Sequence, residues 1–342
     1  MSFVPSWFER LTGFPERNYG ATQSRLAVEG DELVSTVNNK RYGIGSLTLP
    51  TLAELRARID IPDQQRTTVR CIAADVGVLH AEPEYEGALF QVASQFNLLE
   101  MIGPDITPED GVACYAHDHT QGPACAIAAG AATIYRNYLV PIDGHVGQTR
   151  ERQLNALAGV GSMLTAKTGH PVNHFWSMQN GYALCMQAGL HTIDDLVRRG
   201  GEAVADALRG ALAIGLHRNV EVTRRDASTG PLVSQSFCSG LPVAYSPIPQ
   251  PDRQTFARLI LEACYEATLL AAVEQSNSGG SNTVLLTRVG GRAFGNADAW
   301  IDDAITRALA IVQHAGLDVT LVSYGHIEAS MQSIADRWAG NE

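Results

Sequence analysis

Between Asn97 and Asp118 the chain carries five acids, Glu100, Asp105, Glu109, Asp110 and Asp118. Carboxyl groups gathered in so short a span can act as general acid or base, or orient substrate hydroxyls. The same span also reads as a solvated loop whose acids cap helix ends. Asp118 is flanked by imidazoles in the run His117-Asp118-His119. On an extended segment the two histidines would share a face, but no third ligand accompanies them, so no metal is expected. Cys125 lacks a histidine–asparagine setting and reads as a buried thiol rather than a nucleophile. Trp176 and Trp300 could serve as platforms for a ligand, though amphipathic packing in the core is the more frequent use of tryptophan.

The second chemical feature is glycine-rich. Thr287 to Asn296 (TRVGGRAFGN) runs from an apolar strand through a loop into a helix. Glycines there let the backbone take positive φ and bring N–H groups close to an anion. A helix N-terminus behind the loop strengthens such a cradle. The spacing fits neither a P-loop nor a dinucleotide fingerprint, and a tight strand-to-helix turn without ligand is the alternative. A second candidate anion site is Thr120-Gln121-Gly122-Pro123, where Pro123 suits a first helical turn and Gly122 allows close approach. Capping by Thr120 is the plainer reading.

These features require elements to hold them. Arg25 to Ser35 pairs two short runs around Gly30-Asp31, and Val37 to Leu49 repeats the pattern around Asn38-Asn39, as hairpins do. Pro50-Thr51 opens a helix with Leu52, Leu55 and Ile59 at helical spacing. Thr68 to Ala74 and Gly87 to Ala93 read as strands. Pro123 to Tyr138 reads as one helix, charged only at Arg136 and therefore interior. Gly147 to about Ala213 reads as mostly helical, followed by β-runs at Val220 to Thr223 and Leu232 to Tyr245. Helix Thr255 to Val273, strand Thr283 to Val289, helix Asp298 to His314 and strand Asp318 to Tyr324 complete the chain, the last three forming a βαβ crossover with parallel strands.

Composition sets the bounds. The 342 residues are 45% hydrophobic and 18% charged, with a net charge of −11. That is ordinary for a globular protein with a large core, and the absence of a basic cluster argues against a nucleic-acid partner. No run approaches the ~20 apolar residues of a membrane span, so no membrane partner is expected. Met1 to Arg10 lacks the pattern of a secretory signal, and six scattered cysteines without a CxxC read as reduced thiols. A cytoplasmic location is expected, or export as an effector without a classical signal peptide.

Taken together, Ala74-Asp75 with GALFQVASQFN (Gly87 to Asn97), GVACYAHDHTQGPAC (Gly111 to Cys125) and LLTRVGGRAFGN resemble the macrodomain family, including its poly(ADP-ribose) glycohydrolase branch. The closer resemblance is to the MavL-type ADP-ribosyl hydrolases; Gly13-Phe14, LAELR and VSQSFCSGLPVAYS also look like that branch. The resemblance implies an α/β fold, a three-layer α/β/α unit with a central mixed sheet. Residues 1–66 would form a β-rich lead-in packed on a core of residues 67–342, with a helical insertion at about 147–213. It implies ADP-ribose as ligand and an ADP-ribosylated protein, ubiquitin among them, as partner, with no cofactor.

By residue, the resemblance implies that Asp75 accepts from the adenine amino group and Tyr324 stacks on the ring. Gly290, Gly291, Ala293, Phe294 and Gly295 would line the diphosphate and distal ribose, Asn97 would lie near that ribose, and Gln121 and Gly122 would form part of a phosphate wall. The adjacent Glu-Glu pair of the glycohydrolase branch is absent, as is a triple-Gly run after Asn97. The acid for cleavage at the anomeric carbon is therefore sought first at Asp118, then at Asp110 and Glu100. The expected activity is removal of ADP-ribose from a modified side chain. The alternatives are a reader that binds without cleaving and an enzyme acting on another nucleotide diphosphate.

Overall fold

The computed structural model describes residues 5–63, 65–224 and 230–340. The chain opens with α1 (Trp7–Thr12), α2 (Tyr19–Gln23), β1 (Leu26–Glu29), β2 (Glu32–Ser35), β3 (Arg41–Gly43) and β4 (Ser46–Thr48). Next come α3 (Leu52–Arg58), β5 (Thr68–Ala73), α4 (Val76–Leu79) and β6 (Leu89–Ala93). Helices α5 (Gln121–Ala128) and α6 (Gly130–Tyr138) follow, then a small ribbon of β7 (Pro141–Ile142) and β8 (His145–Val146). The middle holds α7 (Ala158–Thr168), β9 (Trp176–Gln179), β10 (Tyr182–Cys185) and α8 (Gln187–Gly210). The rest is β11 (Gly215–Glu221), β12 (Leu232–Cys238), α9 (Gln250–Asn277), β13 (Thr283–Leu286), α10 (Asp298–Ile311), β14 (Asp318–Ser323) and α11 (Ala329–Ala339).

Seven strands form the central sheet in the order β4-β11-β12-β6-β13-β14-β5. The pairs from β12 to β5 are parallel and those joining β11 to β12 and β4 are antiparallel, so the sheet is mixed. Strand alternation sends neighbouring side chains to opposite layers. On β6, Gln91 bonds Thr268 of α9 while Phe90 stacks on His80 next to α4. On β12, Ser236 meets the same Thr268 while Gln235 donates to the Cys125 carbonyl of α5. One layer therefore holds α9 with α3, α8 and α10, the other α4 to α6. This is the three-layer α/β/α arrangement with a mixed sheet.

Several sequence readings change in three dimensions. Strand β4 leaves the lead-in hairpin and becomes the edge of the main sheet beside β11. The expected single helix over Pro123–Tyr138 breaks at Ala129, whose ψ of 59° leaves the helical region. The middle is not wholly helical: Asn180 and Gly181, both at positive φ, turn β9 into β10. An Asn-Gly between apolar runs is a hairpin signal, and it stood in the sequence. Helix α8 is interrupted at Gly201 (φ 59°), and α11 was not anticipated at all. The βαβ unit β13-α10-β14 and the capped start of α3, where Thr51 and Glu54 bond each other's backbone, are as the residues indicate.

The lead-in carries its own apolar cluster. Trp7, Phe8, Leu11 and Phe14 pack with Val112, Tyr115, Ile134 and Tyr138. Glu16 reaches from it to accept from the backbone N–H groups of Val112 and Ala113 and from the Tyr138 hydroxyl. Burial raises the Glu16 carboxyl above its ordinary range, opposed by these three donors. The lead-in thus pins the stretch that runs toward His117 and Asp118.

Across the helical layer, the buried carboxylate of Glu266 pairs with Arg56 at 2.5 Å and with Arg307. Removing one member of such a set leaves charge uncompensated in a low-dielectric interior. Glu266→Ala should lower the unfolding free energy by about 3 kcal/mol. Urea denaturation measures this, and a loss within experimental error would show that Asp206, which also faces both arginines, suffices.

Candidate active site

Strand ends β6, β13 and β14 meet the first turn of α5 around a cavity of about 420 Å³. Its position, at the carboxyl ends of parallel strands, is where α/β sheets commonly hold ligands. Glu100, Asp118, Gln121 and Gly122 line one side, and Gly290, Gly291, Ala293 and Phe294 the other, with Tyr324 at the end of β14.

The glycine loop is held from behind. Tyr265 of α9 donates to the Thr287 carbonyl and accepts from the Val289 N–H. Asn296 donates to the carbonyls of Gly290 and Leu241, closing the loop against the segment after β12. Gly290 sits at φ 75°, and a Cβ there would lie 2.8 Å from the Asn296 amide nitrogen. Arg288, only 11% exposed in its side chain, is bound by Asp298, Asp302 and Glu328. Its charge is thus matched by α10 and the start of α11, and burial is outweighed so that the guanidinium titrates higher than usual.

The opposite wall is made by the α5 N-terminus. Thr120 gives no side-chain cap, and Pro123 has no N–H to offer, so the free first-turn groups are those of Gln121 and Gly122. Gly122 is there because nothing larger fits: a Cβ would sit 2.2 Å from Glu100 Oε2 and 2.3 Å from the Ala93 carbonyl. Glu100 is 5% exposed, and its Oε1 has no hydrogen-bond partner among the described residues. Its N–H donates to the Tyr115 hydroxyl. Burial lifts the carboxyl well above its ordinary 4.5, Arg136 pulls it down and Asp118 pushes it further up. A neutral carboxylic acid next to a cavity is a proton donor in waiting. Asp118 is half-buried, its Oδ1 accepting from the Thr120 N–H.

Not every anticipated residue reaches the cavity. Asp110 caps a short turn by accepting from the N–H and hydroxyl of Thr107. Asp75 caps α4 through the N–H groups of Gly77 and Val78 and faces Arg224 at 3.9 Å. Asn97, fully buried, donates to Gln153 and accepts from the Leu99 N–H, shaping the turn rather than lining the cavity. Gly295 packs against Ala244 behind the loop. His117 and His119 both line the mouth, but among the described residues no group of three His, Cys, Asp or Glu is arranged to hold a metal ion.

Other lining residues were not anticipated. Tyr182, Tyr245 and Phe294 come from three separate segments and form an aromatic wall, with ring centroids 5.2 to 6.0 Å apart. Tyr182 belongs to the β9–β10 hairpin, and its hydroxyl donates to the Met101 carbonyl. The middle of the chain therefore contributes a wall to the cavity. Glu328 and Arg288 close the far edge.

The chain matches no protein-family model and no curated protein sequence. Among solved structures it is similar to a point mutant of poly(ADP-ribose) glycohydrolase from Deinococcus radiodurans in complex with ADP-ribose. That pair is 12% identical, covering 86% of this chain and 95% of the other, with a TM-score of 0.46. It is also similar to poly(ADP-ribose) glycohydrolase from Thermomonospora curvata, at 11% identity, 94% and 97% coverage and a TM-score of 0.45. No helix among the described residues is long and apolar enough to cross a membrane.

Two outcomes follow from the Glu100–Gly122 contact. In a group whose folded pKa is raised, the stabilising contribution is full below the unfolded value near 4.5 and is lost as pH rises toward the folded one. Stability measured by urea melts should therefore shift in favour of Glu100→Gln as pH rises from 4 to 8, and a constant difference would mean an ordinary carboxyl. Gly122→Ala should lose about 2 kcal/mol by overpacking, with calorimetry as the check; an unchanged melting temperature would mean that α5 yields freely.

Proposed function

We propose that this protein hydrolyses the bond between ADP-ribose and a protein side chain. The observation that carries the reading is the placement of the buried Glu100 carboxyl, whose Oε1 lacks a partner among the described residues, and the half-buried Asp118 in one cavity with the Gly290–Phe294 loop. Such a loop suits a diphosphate, because its backbone N–H groups can approach oxygens closely. The cavity volume is that of a small-molecule site. The sequence resemblance to macrodomain hydrolases supplies the ligand, ADP-ribose, and ubiquitin as one modified protein worth assaying.

In this mechanism the loop and the first turn of α5 hold the diphosphate between them, with Tyr324 against the adenine. The aromatic wall of Tyr182, Tyr245 and Phe294 flanks the distal end. Glu100 gives its proton to the departing side-chain atom as the anomeric bond breaks. Asp118 takes a proton from the water that adds to the anomeric carbon, so that ADP-ribose and the free side chain leave. Orientation of both partners and fixed dipoles supply the rest of the acceleration.

Release of ADP-ribose from mono-ADP-ribosylated proteins, arginine-, serine/threonine- and acid-linked, tests this. Wild type should turn over at least one of them. Glu100→Gln and Asp118→Ala should each lower kcat by about a hundredfold or more while ADP-ribose still binds. Tight binding of ADP-ribose by wild type with no turnover on any linkage would make the protein a reader instead.

A further inference from the structure

The one fully buried cation of helix α6 is unexplained by packing. Arg136 is completely enclosed, yet among the described residues no carboxylate lies within 4.0 Å of its guanidinium. Its neighbours are neutral. Nη1 meets His217 Nδ1 at 3.2 Å, Nη2 donates to the Thr133 hydroxyl at 2.8 Å, and the guanidinium lies 3.9 Å over the Phe237 ring. The remaining bond goes forward, from Nε to the Leu98 carbonyl at 3.2 Å. A buried charge without a counter-ion is costly, and a hydrophobic residue of similar volume usually does as well for stability.

The bond to Leu98 falls on a strained position. Leu98 has φ 65°, the left-handed region that a bulky side chain avoids, and it stands two residues before Glu100. The turn is braced on its other side as well. Gln148 donates both to the Asn97 carbonyl and to the Arg136 carbonyl, and Asn97 accepts from the Leu99 N–H. A backbone held in such a conformation persists only where surroundings over-determine it, and those places cluster at working sites.

We infer that Arg136 is the positioning residue of the cavity: it locks Leu98 in its left-handed turn and so holds the Glu100 carboxyl against Gly122. The inference deepens the hydrolase reading and rests on it for the role of Glu100, though the contact itself does not. The same cation also bears on Glu100 electrostatically. The groups facing Glu100 are Arg136 from α6, Asp118 and Tyr115 from the loop before α5, Cys125 from α5 and Tyr182 from β10. Arg136 is the only cation among them and opposes the effect of burial; its own pKa is depressed to about 10 by its enclosure. Its loss leaves Glu100 protonated to higher pH, so the alkaline limb of a reaction that needs the acid form moves upward.

The experiment follows the Glu100 carboxyl directly. Full-length protein carrying carbon-13 glutamate is titrated by NMR, the Glu100 signal being assigned by its loss in Glu100→Gln. ADP-ribose release is measured across the same pH range. In Arg136→Met the Glu100 midpoint and the alkaline limb should both rise, by at least about half a unit. Arg136→Lys keeps the charge but not the fork, so the midpoint should hold while kcat falls on the order of tenfold. Should Arg136→Met not fold, Thr133→Val, which removes one guanidinium anchor but keeps the arginine, should lower kcat with KM unchanged. An unmoved Glu100 titration in folded Arg136→Met, or full kcat in both Arg136→Lys and Thr133→Val, would overturn the inference. A shifted titration in Arg136→Met beside a wild type with no turnover would instead overturn the hydrolase reading and leave the positioning role standing.

Discussion

The molecule is organised around one close approach. The first turn of α5 comes within van der Waals distance of the Glu100 carboxyl, and only a residue without a side chain can stand there. That contact adds to the burial that raises the carboxyl well above its ordinary range, because burial disfavours the ionised form. It also fixes the distance between two segments whose chain connection, residues 101–120, has no regular structure beyond two short 3-10 turns, Pro108–Asp110 and Ala113–His117. Cavity shape, acid chemistry and the placement of Asp118 all depend on it.

Much of the remaining structure serves to hold those two segments still. The lead-in clamps the approach to α5 through Glu16, which satisfies two backbone donors that would otherwise be orphaned in the interior. Arg136, Gln148 and Asn97 brace the turn that precedes Glu100 from the opposite side. On the far wall, Tyr265, Asn296 and Arg288 do for the glycine loop what these do for the acid. The supporting groups are buried and bonded, so the loops they hold are irregular in shape but not loose. Rigid support behind an irregular rim is how a site gains precise geometry from residues outside regular elements.

The β9–β10 hairpin shows how a region that looks remote can enter the site. Its Asn180-Gly181 turn is local, but Gly181 packs directly on Asn97, and Gln153 links Asn97 to Asn180. Tyr182 then leads back into the cavity beside Tyr245 and Phe294. Aromatic rings from three separate segments make a wall that no single stretch of sequence displays.

Local physics was legible in the residues alone. The βαβ unit shows in its 2-then-3.6 periodicity, α3 in Thr51 and Glu54, and the glycine loop in the density of residues that tolerate positive φ. These features depend on neighbours within a few positions. The sequence by itself therefore determined most strands of the central sheet, helices α3, α9 and α10, the loop chemistry and a pool of candidate acids. It could rank that pool only by position along the chain, with Asp118 first for its place before Thr120-Gln121-Gly122. Asp110, Asp118 and Glu100 are the same kind of group a few positions apart, and what separates them is burial against partners distant in the chain. A local capping box turned Asp110 toward Thr107, whereas tertiary structure left Asp118 at the mouth and enclosed Glu100 between Gly122 and the turn held by Arg136. Desolvation is a property of the surroundings in space, and only the folded chain decides it.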